Sequence, residues 1–214
     1  MRVIFLIGCL FLVARVQAQY QKGTKYLGGT ISLNGTKSKP EADAGIQSIQ
    51  SYLSLNPSVQ AGLFIKEKAM IGLGFGTDLD FYWNKSKPSK SLPLYKSHTQ
   101  IYTLSPFVRH YKSLNAKWAI FLNSSAEISL LKSKTITDDY TVKSDGYGIG
   151  LKIVPGVSYW LTPRFALESD INLLSLGAGY RNFYDSDTFY FNSAVTSNLS
   201  SYFSIRASWY LSKP

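Results

Sequence analysis

From Ile71 to Trp83 the chain changes face at every residue. Ile71, Leu73, Phe75, Thr77, Leu79, Phe81 and Trp83 share one parity; Gly72, Gly74, Gly76, Asp78, Asp80 and Tyr82 share the other. A helix repeats every 3.6 residues, so a sustained period of two demands a strand with two unlike faces. The pattern returns in seven further segments. Their apolar faces are Leu27, Ile31, Leu33; then Leu53, Leu55, Val59, Leu63, Ile65; then Tyr102, Leu104, Val108; then Trp118, Ile120, Leu122, Ala126, Ile128, Leu130. The series continues with Ile149, Leu151, Ile153, Val157, Tyr159, Leu161; then Phe165, Leu167, Ile171, Leu173; and ends with Phe203, Ile205, Ala207, Trp209, Leu211. No comparable 3.6-residue stripe appears. The sequence predicts an all-β chain of eight strands, most of them reaching the roughly 9–11 residues that a tilted strand needs to cross a bilayer.

Charge decides which face meets which solvent. None of those apolar positions is charged, whereas the opposite parity carries Asp78, Asp80, Arg109, Glu127, Lys152, Glu168, Asp170 and Arg206. A soluble barrel puts its apolar parity inside. With eight strands the inside holds only side chains or one small ligand. Eight charges on the inner parity therefore fit a barrel whose exterior is lipid and whose lumen is polar. Unpaired buried charges cost several kcal/mol. Arg109, Lys152 and Arg206 are accordingly expected to pair with Glu127, Glu168 and the three aspartates, packed beside Phe64, Phe107, Tyr111 and Phe121.

The connections alternate in length. Long links fall near residues 35–50, 84–99, 132–146 and 182–196, short ones near 66–68, 112–116 and 162–164. That is an up-and-down antiparallel sheet with both termini on the short-turn side. A repeat underlies it: Leu55-Asn-Pro57-Ser-Val59, Leu104-Ser-Pro106-Phe-Val108 and Ile153-Val-Pro155-Gly-Val157 stand 49 residues apart (57 to 106, 106 to 155). Each is followed by a short turn and another alternating strand, so one hairpin unit is used three times. Proline cannot donate to a ladder, so these three positions predict bulges or local bends.

Residues 1–18 read as a separate segment. Arg2 supplies a positive charge, Val3–Ala14 is apolar or small, and Val16-Gln17-Ala18 is a small-x-small site before Gln19. This is the layout of a secretory signal cleaved between Ala18 and Gln19, and it leaves 19–214 as one barrel domain. Cys9 falls inside the removed segment, so the exported chain has no disulfide to stabilise it. Trp83, Trp118, Trp160 and Trp209 lie near strand ends, where amphipathic rings form interfacial girdles, although Trp160 falls on the lumen parity.

With these features the chain resembles the small outer-membrane β-barrel proteins of Gram-negative bacteria, the OmpA/OmpX-like eight-stranded class. The resemblance rests on the signal ending at Ala18, the three hydrophobic-x-Pro-x-Val hairpins and the final strand Tyr202–Leu211. It implies an integral outer-membrane location and recognition by the barrel-assembly machinery. That machinery often reads a terminal aromatic residue, whereas here Trp209 and Tyr210 are followed by Leu-Ser-Lys-Pro.

Little chemistry is legible. Ser97-His98-Thr99 sets hydroxyls beside a histidine, but neighbours on a strand point to opposite faces. His98 and His110 form no metal-ligand spacing. Gly72, Gly74 and Gly76 alternate within a strand, where a phosphate cradle needs a strand-to-helix turn. No catalytic, cofactor-binding or metal residue is assigned, and no cofactor is expected. The net charge of +10 is localised in part: Lys85, Lys87, Lys90 and Lys96 crowd the second long link without an acid. Export argues against nucleic acid as the basic chain's partner; outer-membrane lipid and lipopolysaccharide phosphates fit better. The expected role is structural or surface-interacting, through the long loops, with an unidentified loop partner. The alternatives are a lipid-modifying barrel enzyme and a narrow solute channel.

Overall fold

The computed structural model describes residues 20–39, 47–87, 95–184, 186–193 and 203–211. The predicted signal segment, with Ala18 and Gln19, lies outside the described residues, as does Lys90. Ten strand segments follow in order: β1 (Lys25–Ser38), β2 (Gln47–Lys66), β3 (Ala69–Lys87), β4 (Tyr95–Ser113), β5 (Trp118–Ile136), β6 (Thr141–Thr162), β7 (Phe165–Ile171), β8 (Leu176–Phe183), β9 (Ser186–Ser193) and β10 (Phe203–Leu211).

Every pairing is antiparallel, and the ten segments occupy eight positions around a closed barrel. Strands β1 to β6 pair in sequence. The seventh position is shared by β7 and β8, which both pair with β6 and are separated by a 3-10 turn at Asn172–Leu174. The eighth is shared by β9, paired with β8, and β10, paired with β7. Lys25–Gly29 then pairs with Ala207–Leu211 and closes the ring at the short-turn end. Among the described residues, Thr30–Ser38 pairs only with β2 and β9 only with β8.

The register fixes the barrel's tilt. Starting at Gly29, the row of paired residues runs through Val59, Phe75, Leu104 and Ile128 to Ile149. In the other direction it runs through Ala207 and Leu167 to Tyr159. The two arrivals on β6 lie ten residues apart (149 to 159). A stagger of ten over eight strands tilts them by about 40° from the barrel axis.

Three expectations are corrected. First, each proline keeps register with one neighbour, Pro57 with Ile31, Pro106 with Leu73 and Pro155 with Leu122, and no register shift accompanies Pro57 or Pro106 on the other side either. The ladder skips the proline only on its other side, between Leu55↔Leu79 and Ser58↔Gly76, and between Leu104↔Ile128 and Phe107↔Ser125. At Pro155 the expected irregularity is present: the 3-10 turn interrupts the facing strand, and the register changes between Gly156↔Asp170 and Ile153↔Leu176. The missing N–H is thus directed where no bond is made, and two further irregularities sit away from the prolines, at Phe64/Lys66 and Trp160/Thr162. Second, the expected long links at 132–146 and 182–196 are largely strand: β5 and β6 are joined by residues 137–140, and β8 and β9 by 184–185. Strands of 19–22 residues outrun the apolar belt, and polar residues on both faces there erase the hydrophobic period. Third, the seventh strand does not continue through Leu173, which lies in the 3-10 turn.

The apolar parity is outside. Ile31 is 73% exposed, Leu151 66% and Ile205 68%, and the same face holds Leu73, Leu104, Ile128 and Ile149. A belt of this extent has no place on a soluble monomer. At the short-turn rim Trp118 packs on Tyr159 (4.7 Å between centroids) and Trp209 on Phe165 (5.0 Å), both facing outward. Trp160 points inward and is buried, so it is no part of that girdle.

Candidate functional site

The lumen divides into a sealed lower half and an open upper half. In the lower half, Glu168 on β7 accepts six hydrogen bonds. Its Oε2 takes them from Tyr26 (2.7 Å), Arg109 (2.9 Å), Ser208 (3.0 Å) and Arg206 (3.2 Å). Its Oε1 takes them from Tyr210 (2.6 Å) and Tyr111 (2.9 Å). Arg109 also donates to Gln60 (2.7 Å), Asn123 (3.0 Å) and the hydroxyls of Tyr26 (3.1 Å) and Tyr111 (3.3 Å), and its guanidinium lies 4.8–5.3 Å from the ring centroids of Phe121, Phe107 and Tyr26. Arg206 bridges on to Asp170 (2.5 Å). Two guanidiniums and two carboxylates cancel, which is what a water-poor interior requires.

An aromatic floor closes the short-turn end beneath this network. Tyr20 stacks on Tyr111 (4.6 Å) and its hydroxyl accepts a bond from Trp160 Nε1 (3.0 Å). Tyr210 packs on Trp160 (4.3 Å), and Phe64 and Met70 are fully buried. The floor is tied down by backbone bonds. Lys68 N donates to Tyr20 O (2.9 Å), Tyr111 N to Lys68 O (2.8 Å), Trp160 N to Lys117 O (2.9 Å) and Tyr210 N to Arg164 O (2.8 Å). Each turn therefore anchors the next descending strand.

The upper half is different. A cavity of about 470 Å³, lined by Asn56, Asp78, Thr103, Glu127, Lys152, Asp170 and Arg206, sits above the plug. Of the eight sequence-predicted charges, the structure brings Arg109, Glu168, Asp170 and Arg206 together. Asp78 accepts from Asn56 (2.8 Å) and Asp80 from Tyr52 (2.7 Å), so neither joins a cation. Glu127 and Lys152 face the cavity, and no ion pair within 4.0 Å includes either among the described residues. The expectation of pairing is corrected for these four. Asp78, Glu127 and Lys152 line the open cavity, where polar surroundings lower the cost of lacking a counter-ion, and Asp80 is held by Tyr52.

Sequence reasoning passed over Tyr20, Tyr26, Gln60, Asn123 and Tyr210 as functional positions. One signal was available for part of them: Tyr26, Gln60, Asn123 and Tyr210 all fall on the lumen parity of their strands. The Ser97-His98 neighbours divide as strand geometry demands. Ser97 bonds Thr135 (3.4 Å), while His98 stacks on Phe81 (4.3 Å) on the outer wall.

The fold and this interior define the class: an all-β, eight-stranded antiparallel barrel of the outer-membrane type, with an apolar exterior and a polar, ion-paired lumen. No family model matches the chain, and no curated protein does. Among solved structures it is similar to Neisserial surface protein A (NspA), at 18% identity over 90% of this chain and 100% of that one, with a TM-score of 0.43. It is also similar to Ail, the attachment invasion locus protein of Yersinia pestis, at 9% identity over 89% and 98%, with a TM-score of 0.43. The barrel assignment rests on strand register and on the two faces, independently of these likenesses.

Proposed function

We propose that the protein is an integral outer-membrane barrel with a noncatalytic role, maintaining the membrane or meeting partners through the strand extensions and loops on the side away from the plug. The observation that carries this reading is the combination of an exposed aliphatic belt with a lumen sealed by Glu168, its two arginines and the aromatic floor. A belt calls for lipid, and a plug of this kind leaves no through-path for solutes. Export through the predicted signal and delivery by the barrel-assembly machinery complete the reading. Outer-membrane fractionation with heat-modifiable gel migration tests it. Recovery in the soluble fraction, or migration unchanged by boiling, would refute it.

A further inference from the structure

One face of the upper barrel carries four exposed lysines, Lys96, Lys132, Lys134 and Lys143, against one acid in the same rows, Asp145 opposite Lys132. At the top of the apolar belt Tyr102, Leu130 and Tyr147 are directly paired across β4, β5 and β6, all on the outward parity. The next outward row holds Gln100, Lys132 and Asp145, and the one above it His98, Lys134 and Lys143. Lys96 follows, opposite Ile136. All four lysines are exposed. Among the described residues the ion pairs are Glu67 with Lys68 and those of the plug, so none of these lysines takes part in one. Lys134 and Lys143 sit directly opposite each other, an arrangement that brings Cβ atoms to about 5 Å and costs stability for like charges. The surface is one-sided: on β9 the outward Asp187 takes bonds from Tyr180 and Asn182.

Height matters as much as charge. Outward residues rise about 7 Å per pair along a strand, or about 5 Å along the membrane normal at a tilt near 40°. Lys132 therefore stands about 5 Å, and Lys134 about 10 Å, beyond the interfacial tyrosines. That is the depth of headgroups and of the first sugars above them.

We propose that this wall of β4–β6 is a binding site for the phosphorylated headgroup of an outer-leaflet glycolipid, with Lys132, Lys134 and Lys143 as the phosphate contacts and Lys96 at its upper edge. The inference rests on the membrane reading above and moves the lipid contact from the lysine-rich second loop to the wall itself. A phosphate seated between Lys134 and Lys143 turns their repulsion into shared attraction.

The test uses the exported chain refolded into phosphatidylcholine vesicles, with three additions compared: bis-phosphorylated lipid A, the same lipid without phosphates, and soluble pyrophosphate. Wild type is expected to be stabilised against urea by phosphorylated lipid A alone, with a salt-sensitive affinity. The K134Q/K143Q variant is expected to bind it on the order of 25-fold more weakly. In plain phosphatidylcholine the same variant is expected to unfold at equal or higher urea than wild type, since the repulsion is gone; that also shows that it folds. K85Q/K87Q/K90Q is expected to bind as wild type does. Equal affinity of wild type and K134Q/K143Q, or a loss confined to the loop triple, would overturn the site. Equal stabilisation by pyrophosphate would overturn the lipid as ligand. Failure of wild type to insert into any vesicle would sink the membrane reading, and this inference with it.

Discussion

Glu168 is the residue on which the lower lumen converges. Its carboxylate is fully buried and holds Arg109, Arg206 and three tyrosine hydroxyls in one arrangement. Removing one partner of a buried ion pair strands the other charges, so Glu168→Ala is expected to destabilise the folded barrel by about 3–5 kcal/mol in a urea titration in lipid. Loss below about 1 kcal/mol would mean that water already reaches the arginines. A second comparison separates the two faces. Leu73 is 48% exposed on the belt, so Leu73→Arg is expected to cost roughly 2–4 kcal/mol if it lies near the bilayer midplane. Thr103→Lys opens onto the cavity and is expected to cost less. Equal cost for both would contradict the parity assignment.

At the scale of strands, packing of the plug depends on two glycines on the lumen parity. A Cβ at Gly72 would overlap the Phe107 ring and the Ala61 carbonyl, and one at Gly156 would overlap the ring of Phe121 and the Ser169 carbonyl. These are the rings that flank the Arg109 guanidinium. Gly156→Ala is therefore expected to displace Phe121, to push the β7 backbone away at Ser169, and to cost about 1–3 kcal/mol, as overpacking does. Unchanged stability would show that both the ring and the Ser169 carbonyl have room to give. The same scale explains the prolines. An antiparallel strand offers each N–H to one neighbour only, so a proline is harmless wherever that neighbour makes no bond. Pro57, Pro106 and Pro155 also share the lipid-facing parity, where their rings add apolar surface.

For the whole molecule, the plug and the topology make two expectations. Purified protein in planar bilayers is expected to show no stable ion-conducting state, because the cavity ends on Arg206 and Asp170, and the buried charge network and the floor of Tyr20, Trp160 and Tyr210 close the barrel beneath it. Reproducible single-channel steps from wild type would contradict this; steps appearing only in Glu168→Ala would identify the plug as the barrier. Epitope tags at Asp139, in the β5–β6 connection, are expected to be reachable on intact cells, and a tag at Glu67, in the β2–β3 turn, is not. Labelling at Glu67 would invert the orientation and with it the placement of the lysine wall.

Alternation in the sequence was enough to determine the strand count, the antiparallel order and the lipid-facing parity, because a period of two is a local property of an extended backbone and charge cannot sit in hydrocarbon. Leu73 and Asp78 carry that information with no knowledge of their neighbours. The composition of the plug was half legible: parity placed Arg109, Glu168 and Arg206 inside, but parity says nothing about height. Only the stagger of ten, a property of the closed ring, brings Glu168 level with Tyr26, Arg109 and Tyr210 from strands far apart in sequence, while leaving Glu127 and Lys152 in the open cavity. The ends of the strands were hidden for a related reason. Above the belt both faces meet water, so the alternation that marks a strand fades while the backbone ladder, which needs no apolar side chain, runs on from Leu130 to Ile136 and carries Lys132 and Lys134 into line with Lys143.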